Sequence, residues 1–296
     1  MSRSACDAKI PEKVLLLFNL TGCDNRSMKT EAPLFAKRRL DLNADLGEGC
    51  GDDLALLEII TTANIACGAH AGGGEVLNQT VAAAALKGVA IGAHPSYPDT
   101  ANFGRVSMLQ LRSPAELESS LVEQILNVAK KAKNYQLSLS HVKAHGALYN
   151  DAATNLAAAE IFLRAVDSAE SILNSSYGQT VRLPIMVMYN SVLAQRAVAL
   201  QRPILYEVFA DRAYTADGFL VPRSEPDAVL HDPNLVVKRI LDFLKTGEMP
   251  TINNSKILMP ADTICIHGDN PASVHIARQL RSSLVEVGIT LKAHSA

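Results

Sequence analysis

Leu40-Asp41-Leu42-Asn43-Ala44-Asp45-Leu46-Gly47-Glu48-Gly49 alternates apolar and polar residues with a period of two. Successive side chains of a strand point to opposite faces. Leu40, Leu42 and Ala44 therefore share one face, and Asp41, Asn43 and Asp45 the other. In a barrel the apolar set meets the surrounding helices and the polar set meets the lumen. Several carboxylates in one lumen call for a shifted pKa, a cation, or a buried Lys or Arg partner. Asp45 lies nearest the rim. For Asp41 the alternative is a purely structural role, satisfying its neighbours.

Outward from this stretch, strands and helices alternate. Apolar, β-rich runs fall at 40–43, 64–67, 89–93, 137–142, 185–188, 204–209 and 263–266. Ser113-Pro114-Ala115-Glu116 is a capping box with Pro at the first helical position, followed by Leu117, Leu121, Ile125 and Val128 at helical spacing. Asp232-Pro233 and Asn270-Pro271 open two further helices, closed by Gly247 and Gly288. Another runs from Glu75 to Lys87 and stops at Gly88. Seven strands separated by helices fit a (β/α)7 TIM-like barrel or an open doubly wound sheet. Polar residues stand at nearly every strand end, which favours the barrel, because an open sheet gathers its site at one crevice. Residues 40–296 are read as one barrel domain. Residues 1–39 show no clear period and are read as a loosely ordered extension.

Five of the eight histidines, His70, His94, His141, His145 and His267, fall where an expected strand ends. Strands that run into such groups bring them to one rim. His141, Lys143 and His145 alternate with Val142 and Ala144 and so point the same way. The spacing of the two histidines also suits a metal pair, but the ammonium between them argues against a cation unless a carboxylate neutralises it. Lys143 is read as an anion or carbonyl binder, the histidines as acid/base or orienting groups. Gly68-Ala69-His70-Ala71-Gly72-Gly73-Gly74 offers backbone N–H groups to an anion at a helix start. The polar loop 94–105 suits a lid, with Arg105 as a carboxylate clamp. Glu207, Phe209 and Asp211 share a face of the sixth strand, and Asp211 either serves the site or pairs with Arg212. Arg223 is a further anion binder, and the seventh strand ends in His267-Gly268-Asp269.

The bulk numbers remove other classes. A net charge of −2 gives no footprint for nucleic acid. No apolar run approaches the roughly 20 residues that cross a bilayer, so neither a membrane span nor a secretory signal is expected. Five cysteines without a Cys-x-x-Cys pair suit free thiols in the cytoplasm. The phosphate-loop, nucleophile-elbow and dinucleotide fingerprints are missing.

At these residues the chain resembles the LamB/YcsF family, that of the 5-oxoprolinase A chain. The matching segments are 41–49, 63–68 with 70–72, 89–95, 102–105, 141–143 with 145–146, 148–150, 207–212, 220–224 and 267–269, in order over the whole expected barrel. Ala69, Ala144 and Gly73-Gly74 depart from the usual pattern. The resemblance implies a (β/α)7 barrel of the glycoside hydrolase/deacetylase type. It implies ATP- and Mg²⁺-dependent opening of the lactam 5-oxoproline (pyroglutamate) to glutamate, with partner subunits B and C and a nucleotide site shared with them. Catalytic candidates on the matching segments are Asp41, Asn43, Asp45, His70, Lys143 and His145. Substrate-binding candidates are Glu48, His94, Asn102, Arg105, His141 and Tyr149, with Glu207, Asp211, Arg223, His267 and Asp269. The runner-up is a metal-dependent deacetylase or amidohydrolase acting on a carbohydrate or small amide. It would hold a divalent transition metal with Asp41 or Asp45 and two of His70, His94, His141 and His145.

Overall fold

The computed structural model describes residues 39–178 and 180–294. The extension expected over residues 1–39 therefore lies almost wholly outside the described residues. β1 (Arg39–Leu46), β2 (Thr62–Ala66), β3 (Ala90–His94), β4 (Leu139–Lys143), β5 (Ile185–Val187) and β6 (Ile204–Phe209) pair in sequence, all parallel. β7 (Glu248–Pro250) and β8 (Lys256–Leu258) form a separate antiparallel hairpin. β9 (Thr263–His267) pairs with both β6 and β1, which closes a seven-stranded parallel barrel. β10 (Thr290–Leu291) adds a short pairing to the start of β1. All seven expected strands are present. The hairpin and β10 carried no sequence signal strong enough to read.

The helices form the outer layer. They are α1 (Asp53–Leu57), α2 (Gly74–Lys87), α3 (Pro114–Lys133), α4 (Gly146–Thr154), α5 (Leu156–Tyr177), α6 (Val192–Ala199), α7 (Pro233–Thr246) and α8 (Ser273–Glu286). The Ser113–Glu116 capping box is formed, and Gly88 and Gly247 close α2 and α7 in the left-handed conformation. α8 starts at Ser273, just after Asn270-Pro271; the Asn270 side chain accepts from Ala272 N and donates to Asp211 and the Leu230 carbonyl. Among the described residues no helix is long and apolar enough to cross a membrane.

The alternation in β1 sorts as its period requires. Leu40, Leu42, Ala44 and Leu46 are fully buried in the apolar layer beneath the helices. Each large side chain so buried contributes about 1.5–3 kcal/mol. The lumen is packed too, but with polar groups. Asn64 of β2 donates to Asn43 and Asp45 of β1, at 2.7 Å each, and accepts from His141 of β4 at 2.6 Å. This crowding has a backbone requirement: a Cβ at Gly92 of β3 would lie 2.1 Å from the His141 ring. Only glycine leaves the imidazole its place.

Candidate active site

The carboxyl ends of the strands open into a cavity of about 460 Å³, within the usual range for small-ligand sites. Ten of the expected residues line it: Asp45, Glu48, His94, Arg105, Lys143, His145, Tyr149, Arg223, His267 and Asp269.

At its floor Lys143 Nζ lies 2.8 Å from Asp45 Oδ1, 2.8 Å from Glu207 Oε1 and 3.2 Å from Cys265 Sγ. Burial favours a neutral amine, but the two carboxylates outweigh it and hold Lys143 as an ammonium, well above its ordinary pKa. Burial likewise would raise Asp45, yet its contacts with the His94 imidazole and the Lys143 ammonium keep it well below the usual carboxylate range. The ammonium is thus enclosed by Asp45, Glu207 and Cys265. Lys143, expected as an anion or carbonyl binder, is already paired with Asp45 and Glu207. Tyr149 donates to the other oxygen of Glu207, at 3.0 Å, so Glu207 is committed to Lys143 and Tyr149 beneath the cavity.

On one wall Glu48 Oε1 faces His145 Nδ1 at 3.1 Å, His70 Nε2 at 3.2 Å and His94 Nε2 at 3.9 Å. Burial opposes ionisation of Glu48, but the close imidazoles of His145 and His70 outweigh it and depress its pKa. Burial depresses His70 to about 4 and lowers His145. The rings of His70 and His145 stack with centroids 3.7 Å apart. Ligand atoms of Glu48, His94 and His145 all lie within 4.8 Å of one another, as do those of Asp45, Cys265 and His267.

On the opposite wall His267 Nδ1 lies 2.9 Å from Asp211 Oδ1, and Asn270 holds the second Asp211 oxygen. This carboxylate–imidazole pair leaves His267 Nε2 available to the cavity. The Phe209 ring stacks on His267. At the mouth Arg105 and Arg223 both pair with Asp269, at 2.6 and 3.3 Å.

The other candidates sit elsewhere. Asp41 is at the amino end of the barrel, where Thr61, Thr62 and Thr263 hydroxyls donate to it at 2.5–2.6 Å. Asn43 is spent on Thr263 and Asn64. Neither lines the cavity, and both are engaged in hydrogen bonds inside the barrel. His141 lies deeper in the lumen between Ser140 and Asn64. It is not in the Glu48 cluster, and burial depresses it to about 3. His70 stands behind Glu48 and His145 rather than in the cavity wall. Asn102 turns onto Asp99. Asp211 pairs with His267, not with Arg212, whose guanidinium donates to the Val221 and Ala228 carbonyls.

Two loop expectations also change. A Cβ at Gly72 would lie 2.4 Å from the Gly47 carbonyl, and Gly68 and Gly73 face each other as closely as a Cβ contact allows. These glycines let two loops pack, and none of them lines the cavity. The 94–105 loop is pinned as a wall, not poised as a lid. His145 N donates to Pro95 O and Ala147 N to Gly104 O, both at 2.9 Å, while Tyr97 donates to Asp151 of α4. Sequence reasoning missed Asn64 and the Phe103 carbonyl, and read Arg212, which lines the cavity, only as a partner for Asp211. Asn64 alone had a signal, as an amide inside an apolar strand.

With this geometry the comparisons agree. The sequence model of the LamB/YcsF family matches residues 40–296. The chain belongs to the LamB/YcsF family. It is 42% identical over 260 residues to the A chain of the 5-oxoprolinase of Limosilactobacillus fermentum, covering 86% of this chain and 99% of that protein. It is 40% identical over 256 residues to that of Neisseria meningitidis serogroup C, covering 86% and 100%. The solved lactam utilization protein from Thermus thermophilus superposes with a TM-score of 0.77 at 33% identity, over 86% of this chain and 99% of that one. The described LamB/YcsF barrel thus spans what these relatives have in common, with the cavity at its carboxyl rim.

Proposed function

We propose that this chain is the A component of a 5-oxoprolinase, a hydrolase that opens the lactam of 5-oxoproline to glutamate with ATP and partner subunits. The observation that carries the reading is the 40–42% identity to proteins of that name over 99–100% of their lengths. The cavity chemistry is compatible with it. Lactam opening adds water across the C–N bond: oxygen goes to the carbonyl carbon, and the nitrogen leaves with a proton. ATP would supply the activation that an ordinary amide lacks, with Mg²⁺ and the nucleotide handled together with subunits B and C.

The chain's own residues can take the remaining parts. The Asp211-oriented His267 is placed to accept a proton from water or return one to the departing nitrogen. Arg105 and Arg223 at the mouth suit the substrate carboxylate, exchanging Asp269 for it. The Lys143 ammonium at the floor stabilises negative charge developing on the lactam oxygen.

The test is glutamate release from 5-oxoproline with ATP and Mg²⁺, for the pure chain and then with candidate B and C subunits. Turnover that requires both ATP and the partners is expected; none in any combination would remove the reading. The Glu48–His94–His145 cluster favours a second reading, ATP-independent hydrolysis of another small amide or acetylated sugar. Acetate or amine release without nucleotide would select it.

A further inference from the structure

Three electron-rich atoms converge on the cavity wall: one nitrogen from each of two imidazoles and one carboxylate oxygen. His94 Nδ1 lies 2.9 Å from the Lys143 backbone oxygen. A carbonyl only accepts, so Nδ1 carries the proton and donates it. His145 Nε2 lies 3.0 Å from the Phe103 carbonyl and is a donor for the same reason. A neutral imidazole has a single N–H. When both rings are neutral, the facing nitrogens, His94 Nε2 and His145 Nδ1, are bare lone pairs, and they are 3.1 Å apart. Glu48 Oε1 adds a carboxylate oxygen 3.1 Å from the second and 3.9 Å from the first. Such an arrangement repels itself unless a metal ion or a shared proton lies between these atoms.

The dimensions suit a metal ion. A triangle with sides 3.1, 3.1 and 3.9 Å has a centre about 2.0 Å from every corner, the bond length of a divalent transition metal to imidazole nitrogen and carboxylate oxygen. The surroundings also match. A backbone carbonyl on the far nitrogen of each ligating ring fixes its tautomer and orientation. His70 reaches Glu48 Oε1 at 3.2 Å from behind. Asp45 Oδ2, 3.4 Å from His94 Nε2, stands at the same edge as a further oxygen. Glu48, His94 and His145 all line the cavity, so a bound ion would face substrate with an open position. Their backbones leave β1, β3 and β4 separately, which is why no compact sequence motif announces them.

We propose that Glu48, His94 and His145 form a binding site for one divalent transition-metal ion, with Asp45 at its edge. Two imidazoles and a carboxylate without a thiolate suit Zn²⁺, Mn²⁺, Fe²⁺ or Co²⁺; Mg²⁺ prefers all-oxygen surroundings. The site stands on geometry alone and does not depend on the lactam reading, because metal binding is measured without turnover.

The experiment uses the full, untagged chain, stripped with chelator and dialysed. It is titrated with zinc chloride by calorimetry and with cobalt chloride by visible absorption. One ion per chain is expected, with the intensified d–d bands of a low-coordinate cobalt site. Glu48→Gln and His145→Asn should each weaken binding by about 100-fold or more, at the upper end of what loss of a supporting contact alone produces. Circular dichroism confirms that the variants are folded. The wild-type cobalt spectrum stands independently of whether they are. No binding by the wild type, a spectrum that stays that of hydrated cobalt, or equal binding by folded variants would overturn the proposal and leave the two rings sharing a proton instead.

Discussion

Asp41 and Asp45 stand on the same face of the same strand and are both buried, yet they live in opposite electrostatic worlds. At the amino end three threonine hydroxyls saturate Asp41. Burial there pushes its carboxyl above the ordinary range, against the downward pull of the Thr263, Thr61 and Thr62 bonds. At the carboxyl end an ammonium and an imidazole face Asp45, and its carboxyl is held well below that range. Hydroxyl dipoles do not offset the desolvation of a carboxylate; a full positive charge in contact does. The amino end is thus a polar plug that joins β1, β2 and β9. The carboxyl end stores ionised groups beside a cavity. Chemistry at neutral pH belongs to the second arrangement.

The largest effect that tests this contrast is at Lys143. Lys143→Met leaves Asp45 and Glu207 buried without a counter-charge. Stability should fall by about 3–5 kcal/mol, read by urea unfolding, and reconstituted glutamate release by about 100-fold or more. An unchanged unfolding midpoint would break the ion-pair description of the floor.

Asp41→Ala separates the two ends. It orphans threonine hydroxyls and should cost about 2–3 kcal/mol of stability while activity per folded molecule stays within about threefold. Asp45→Asn should do the reverse, losing activity by about 100-fold with a smaller change in stability. If Asp41→Ala lost activity as Asp45→Asn does, the division of the barrel into plug and site would fail.

The pH dependence of stability sharpens the account of the middle layer. Burial depresses His141 from its ordinary 6.5 to about 3 in the folded chain. The unfolded chain takes up that proton first as pH falls. The contribution is complete above about pH 6.5 and is lost as pH drops toward 3, by up to about 1.4 kcal/mol per pH unit. His141→Gln should flatten the slope of unfolding free energy by about 1 kcal/mol per unit between about pH 6 and pH 4. An unaltered slope would mean that His141 is already protonated in the lumen.

The smallest effect lies outside both ends. Ser113→Ala removes the α3 cap and should cost about 1 kcal/mol, read as a lowered melting temperature, with unchanged turnover. A change in activity would mean that the wall formed by the 94–105 loop is coupled to the seating of α3.

Much of the architecture was legible because it rests on local periodicity. The alternation from Leu40 to Leu46, the Ser113 capping box and the glycine stops at Gly88 and Gly247 depend on a residue and its near neighbours. The same alternation placed Asp41, Asn43 and Asp45 on one face but could not rank them, since depth along the barrel is set by pairing with β9 and β2. Asp41 lies opposite Thr263, and Asp45 opposite His267 and Asn64. The histidines were found at strand ends, but their different duties came from contacts across the barrel. His141 occupies space that Gly92 leaves, and the tautomers of His94 and His145 are set by the carbonyls of Lys143 and Phe103.

The sequence by itself determined a closed barrel with polar groups inside it, because strand period and helix punctuation are local properties of the chain. Only the tertiary structure decided which of those groups bear charge and face the cavity. Protonation and coordination depend on distances of 3–4 Å between residues tens to hundreds of positions apart, and no local pattern encodes such distances.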